Sequence, residues 1–216
     1  MPVPVPVPEQ EGVTKFDLRF TPAPPLLSAE LCELNAWRKL LWQLKLIGQD
    51  ASRYHGLGFG NLSRRQLPSQ HFIISGTQTG HLPELDGRHY ATVTEADTRA
   101  NRVLAEGPMA PSSEALTHAM LYQVDTSVQF IFHVHSPALW HGAADLGIPV
   151  TNPTVAYGTP AMAEEVRRLS ADAAAWRTGI FAMGGHEDGI VAFGKTAEET
   201  GIILLQYLAR ALTAHH

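Results

Sequence analysis

Cysteine is nearly absent from the sequence: Cys32 is the only one among 216 residues. An intrachain disulfide is therefore impossible and zinc knuckles of paired thiolates are excluded, so any metal must be held by imidazole and carboxylate. Charge is sparse as well. Charged residues make up 17% of the chain, the formal net charge is -5, and the basic clusters are only the pairs Arg64-Arg65 and Arg167-Arg168. That distribution argues against nucleic acid and against an anionic membrane as main partners. No hydrophobic run approaches the length of a membrane span. Met1 to Pro8 alternate proline and valine, with neither the basic region nor the continuous apolar stretch of a secretory signal, so the expected location is the cytoplasm.

What is present is a hydrophobic content of 44%, enough at this length for one sizeable core. The Pro-Val start reads as a solvated, polyproline-like arm over residues 1–25, followed by one compact domain over residues 26–214. Leu31, Leu34, Trp37, Leu41 and Leu44 recur at helical spacing, which predicts a helix capped by Ser28 and stopped near Gly48. After a glycine-rich passage, Gly56 to Ser63, the run His71 to Ser75 reads as a strand that ends in a Gly76-Thr77-Gln78-Thr79-Gly80 loop. Thr94 with Asp97 is expected to open a second helix, and Pro111-Ser112-Ser113-Glu114 a third that continues through Tyr122. Gln129 to His135 is the most strand-like run. Thr159-Pro160 starts a further helix. Ile180 to Met183 and Ile190 to Phe193 read as strands around a turn carrying His186, and Thr196 with Glu199 caps a last helix reaching about Thr213. Interspersed strands and helices predict an α/β or α+β layered domain.

The chemistry concentrates in three histidines and one carboxylate. In a strand, alternate residues share a face, so His133 and His135 present their imidazoles side by side, about 7 Å apart at the backbone. Taken alone, the pair also fits two hydrogen-bonded core histidines, and His186 also fits a surface histidine. Together with Glu114 they would make an oxygen-nitrogen site suited to zinc, with manganese, iron or cobalt also accepted. Cupins place their glutamate shortly after the His-x-His pair, whereas Glu114 precedes it, and amidohydrolase barrels need a longer chain. His118 shares a helix face with Glu114, so the two could hold a metal together.

In this order the motifs Gly60-Asn61-Leu62-Ser63, Thr79-Gly80, Pro111-Ser112-Ser113-Glu114, His133-Val134-His135-Ser136 and the late His186 turn resemble the class II aldolase/adducin family, whose enzymes include L-fuculose-1-phosphate and L-rhamnulose-1-phosphate aldolases. The similarity runs from about Leu31 to Leu212. It implies an α/β/α three-layer sandwich around a largely antiparallel sheet, assembled as a homotetramer with sites at subunit interfaces. It implies zinc on His133, His135 and His186, with Glu114 as both resting ligand and acid/base and His118 as a structural histidine. It further implies a phosphate grip at Gly60, Asn61, Thr79, Gly80, Ser112 and Ser113, with Ser75-Gly76 as the rival to Thr79-Gly80 for the middle turn. A helix start flanked by small hydroxyls suits an anion on physical grounds too, although Ser112 and Ser113 also fit ordinary capping. Two departures stand out. Glu187-Asp188 separate His186 from Gly189, where the family runs His-Gly directly. The stretch from Ile148 to Thr159 is short, which leaves Tyr157 as counterpart of the aldolases' mobile tyrosine by proximity alone.

The expected activity is a metal-dependent aldolase or lyase acting on a small hydroxy-carbonyl substrate, such as a sugar phosphate, through a metal-stabilised enediolate with Glu114 moving protons. The same start also serves an epimerase, dehydratase or decarboxylase. A zinc hydrolase and a non-catalytic adducin-like interaction module are the rivals from other classes.

Overall fold

The computed structural model describes residues 12–213. The proline-valine start and the terminal His215 and His216 lie outside the described residues. Strands β1 (Asp17–Pro22), β4 (Asn61–Arg65), β5 (Phe72–Ser75), β6 (Tyr90–Asp97), β7 (Arg102–Gly107), β8 (Phe130–His135), β9 (Ile180–Ala182) and β10 (Gly189–Gly194) form one sheet in the order β1-β7-β6-β5-β4-β8-β10-β9. Only β1 and β7 run parallel; every other pairing in that sheet is antiparallel. Strands β2 (Gly48–Gln49) and β3 (Gly58–Phe59) make a separate small ribbon. The helices are α1 (Ser28–Gln43), α2 (Ala115–Val124), α3 (Pro137–His141), α4 (Ala143–Leu146), α5 (Pro160–Ser170), α6 (Ala173–Trp176) and α7 (Ala197–Thr213).

Two apolar layers flank the sheet, because each strand divides its side chains between faces. On β8, Phe130, Phe132 and Val134 join the core under α1, α3 and α7, while Ile131 joins the core under α2 and α5. The strand alternation therefore sends His133 and His135 to the α2/α5 face. On β10, Ile190 and Ala192 face the first layer, and Val191 and Phe193 the second. This is the three-layer α/β/α sandwich around a largely antiparallel sheet.

Several local expectations need correction. Thr94 and Asp97 open no helix: they lie in β6, and a register shift between Val93 and Glu95 marks a bulge at Thr94. The β-forming run Tyr90-Ala91-Thr92-Val93 outweighs a Thr-x-x-Asp pattern that resembles a helix start. Ser28 is the first helical residue rather than the cap; Leu27 occupies that position, and its N–H donates to Glu30 Oε2 at 3.2 Å. The helix ends before Gly48, with Lys45 left-handed at φ 59° just beyond the cap. The sheet also begins ahead of residue 26, since β1 pairs in register with β7 from Asp17↔Arg102 to Pro22↔Gly107.

Candidate metal centre and anion cradle

Strand β8 ends at the site. The N–H of His135 donates to Leu46 O at 2.9 Å and that of Ser136 to Asp188 O at 2.9 Å, which ties the strand end to the β9–β10 turn. Within that turn His186 N–H donates to Met183 O and Gly189 N–H returns to His186 O. Gly189 is required by space: a Cβ there would lie 2.5 Å from Cδ2 of the His186 ring. The turn thus folds the His186 imidazole back over the strand pair.

All three rings are buried and converge. Ring centroids are 5.0 Å apart for His133 and His135, 5.3 Å for His133 and His186, and 4.8 Å for His135 and His186. One ligand nitrogen from each lies within 4.8 Å of the others, and the Nε2 atoms of His135 and His186 are 3.0 Å apart. Burial, then the neighbouring His186, pulls His133 and His135 well below the usual imidazole range, so both are neutral near pH 7. His133 Nδ1 lies 3.2 Å from Ile190 O, where it donates its proton. That tautomer leaves a lone pair on Nε2, a buried atom without a hydrogen-bond partner among the described residues. A buried acceptor in that condition is costly unless a ligand meets it. This donor set fits a divalent cation of the zinc type.

Glu114 is buried as the N-cap of α2, with Oε1 3.8 Å from His186 Nε2. It thus borders the triad. The backbone N–H of Glu114 donates to Ser112 Oγ at 3.3 Å, so the serine preceding the helix is part of the cap. His118, one helical turn on, is committed elsewhere: its Nδ1 lies 2.7 Å from Ser63 Oγ, which in turn lies 2.7 Å from Tyr122 OH.

Next to the triad, the register pair Asn61↔His133 brings the glycine-rich loop against the histidine side chains. Gly60, Asn61, Thr79, Gly80, Ser112 and Ser113 line one small cavity, so the six residues expected to grip an anion do meet in space. Gly76 lines it too, whereas the Ser75 hydroxyl turns inward to accept from Leu62 N–H at 3.2 Å. Asn61 Oδ1 is buried with no partner among the described residues. The space is only about 10 Å³, because Gly12 and the Gln78 side chain close it; Gln78 Oε1 accepts from Gly58 N–H at 2.9 Å. Gly80 packs on the ribbon, and a Cβ there would collide with Gly48 O.

Tyr157 lies against the triad. It is fully buried, its ring meets His186 edge-on at 4.4 Å, and its hydroxyl accepts from Val13 N–H at 2.9 Å. Residues absent from the sequence reading also border the triad. Tyr54 packs on the His135 ring at 4.6 Å and donates to Asp188 Oδ2 at 2.5 Å. The only signal for this group was the Glu187-Asp188 interruption before Gly189.

An antiparallel α/β/α sandwich with a buried imidazole triad beside a glycine- and hydroxyl-rich cradle defines an aldolase-like scaffold. Residues 49–213 match the Class II Aldolase and Adducin N-terminal domain family, and the chain belongs to it. Its fold is similar to that of an L-fuculose 1-phosphate aldolase, at 20% identity and a TM-score of 0.61 over 88% of this chain and 86% of that one. It is likewise similar to YgbL from Escherichia coli, named as a candidate aldolase/epimerase/decarboxylase, at 18% identity and a TM-score of 0.61 over 86% and 88% of the two chains. The L-fuculose-1-phosphate aldolase from Thermus thermophilus matches at 16% identity and a TM-score of 0.61, covering 85% of this chain and 91% of that one. None of the curated proteins compared matches the sequence significantly. No helix among the described residues is long and apolar enough to cross a membrane.

Proposed function

We propose that this protein is a metal-dependent lyase of the aldolase type, acting on a small hydroxy-carbonyl substrate of the sugar-phosphate class and assembled as a homotetramer. The observation that carries this reading is the convergence of three buried imidazoles, with His133 Nε2 unpartnered among the described residues. His133, His135 and His186 would hold the ion, and Glu114 is placed to join them. When bound, such an ion supplies Lewis-acid polarisation of a substrate carbonyl.

The chain's own groups supply the rest. Gly60, Asn61, Thr79, Gly80, Ser112 and Ser113 bind the anionic end and orient the carbonyl toward the triad. In the cleavage direction, the substrate hydroxyl loses its proton as the carbon–carbon bond breaks and the released carbon gains one; Glu114 takes the first and delivers the second, and the synthetic direction reverses both transfers. Burial of the triad keeps water away from the carbanionic carbon. The non-catalytic adducin-like reading requires loss of a ligand position, and all four residues are present. Naming of the YgbL relative as an aldolase/epimerase/decarboxylase supports a shared first half of the chemistry, whichever bond breaks next.

The test is metal analysis of the purified protein together with retro-aldol assays on phosphorylated ketoses. Zinc near one equivalent per chain is expected, with kcat reduced on the order of 100-fold or more in Glu114→Gln. Full lyase activity without Glu114, or a metal-free protein that still cleaves, would sink the assignment.

A further inference from the structure

His186 also borders a second, larger cavity of about 770 Å³, whose wall includes Arg53, Tyr54, Trp140, Pro153 and Asp188. That wall is built against local backbone preference. Tyr54, His55 and Asp188 are all left-handed, with φ of 47°, 57° and 62°, a region that disfavours any residue with a Cβ. Tyr54 is the least tolerant of that region among the three, since Asp and His enter it more readily, and the surrounding contacts hold it there.

What the strained loops accomplish is to fix one guanidinium. Arg53 Nη2 donates to Tyr54 OH at 2.6 Å, Tyr54 OH donates to the buried Asp188 carboxylate at 2.5 Å, and Arg53 itself is 3.6 Å from that carboxylate. The guanidinium carbon sits 4.9 Å from the Tyr54 ring centroid and 4.7 Å from that of Phe59. A guanidinium has five N–H donors, and only the one given to Tyr54 has a hydrogen-bonded side-chain partner among the described residues. The side chain keeps 26% exposure. A planar fork held in place with donors to spare matches a carboxylate in two-point contact. Asp188 beside it repels a doubly charged phosphate more than a singly charged carboxylate, and a neutral polyol end would gain little from a fixed cation.

We propose that Arg53 is a specificity-determining residue that receives a carboxylate at the end of the substrate remote from the cradle, so that the substrate class is a phosphorylated hydroxy-keto acid rather than a neutral keto-sugar. Tyr54 and Asp188 are positioning residues that hold the guanidinium. The inference rests on the reading that substrate reacts at the imidazole triad, and it accounts for the Glu187-Asp188 interruption ahead of Gly189.

The experiment is calorimetric titration of the zinc-loaded full-length protein with erythronate 4-phosphate and with erythritol 4-phosphate, which differ only in carboxylate against hydroxymethyl. The natural protein is expected to prefer the acid by about tenfold or more. Arg53→Met should remove that preference by weakening the acid alone. Tyr54→Phe and Asp188→Asn should reduce it with zinc content retained, whereas a merely structural role would weaken both ligands alike. Equal binding of the two probes by the natural protein, binding of neither, or equal weakening of both in Arg53→Met overturns the proposal. The lyase reading fails separately: turnover of neutral keto-sugar phosphates with a kcat/KM indifferent to Arg53 sustains the lyase and sinks the carboxylate site. A binding preference lost in Arg53→Met without turnover of any phosphorylated ketose does the reverse.

Discussion

His118 is a buried imidazole on α2 whose Nδ1 meets Ser63 Oγ. Burial pulls its pKa from 6.5 to about 3, so it is neutral in the folded protein. The unfolded chain binds a proton at His118 below pH 6.5 that the folded chain refuses. Its contribution to stability is therefore complete above that value and is lost as the pH falls toward 3. Denaturant titrations should show about 2 kcal/mol of that loss by pH 5, absent from His118→Gln; an identical pH dependence in both proteins would refute the neutral assignment. Gly189 offers a second single-residue test. An added Cβ meets the His186 ring at 2.5 Å, so Gly189→Ala should displace that ring and weaken zinc binding by about tenfold or more, read by competition with a chromogenic chelator. Unchanged affinity would show that the turn tolerates the methyl.

Among the elements, the loop between β5 and β6 governs the cradle. Gln78 is left-handed at φ 55° and its side chain reaches across to Gly58, leaving a space of about 10 Å³, roughly one water-sized probe. Gln78 and Gly12 together fill the room an anion would need. Gln78→Gly suits the left-handed backbone and removes the side-chain part of the obstruction, leaving the Gly12 backbone in place, so inorganic phosphate should bind several-fold more tightly to the variant; equal or weaker binding would place the barrier at Gly12 or elsewhere. The ribbon of β2 and β3 supports the same loop through Gly80. Gly80→Ala should cost about 2 kcal/mol or more in unfolding free energy, because backbone rather than a flexible side chain blocks the new atom. Element readings from the sequence succeeded where an apolar run or a helix-start signal was clear, as in β8, α5 and α7. They failed at Thr94, where a bulge in β6 carries a polar pattern that resembles a helix start.

For the whole molecule, the candidate ligands come from α2, β8 and the β9–β10 turn, so occupancy links segments that meet only after folding. Zinc at 100 times its Kd should add about 2.7 kcal/mol to stability, and a chelator should reverse the accompanying rise in Tm. A Tm indifferent to both would argue against a native metal. Much of this was written along the chain: the alternation in β8 puts His133 and His135 on one face, the Pro111 to Glu114 stretch announces a helix start, and the ordered motifs identify the family. Local pattern could do this because side-chain direction in a strand and capping at a helix end depend on near neighbours. Only the tertiary structure decided that Asp17–Pro22 joins the sheet, since its partner β7 is distant in sequence. It alone decided that His186 closes on the strand pair and that Tyr54 reaches Asp188 across 134 positions. Contacts of that kind arise from how sheet, turn and loop pack against one another, and no periodicity within the chain encodes which distant side chains will share a cavity.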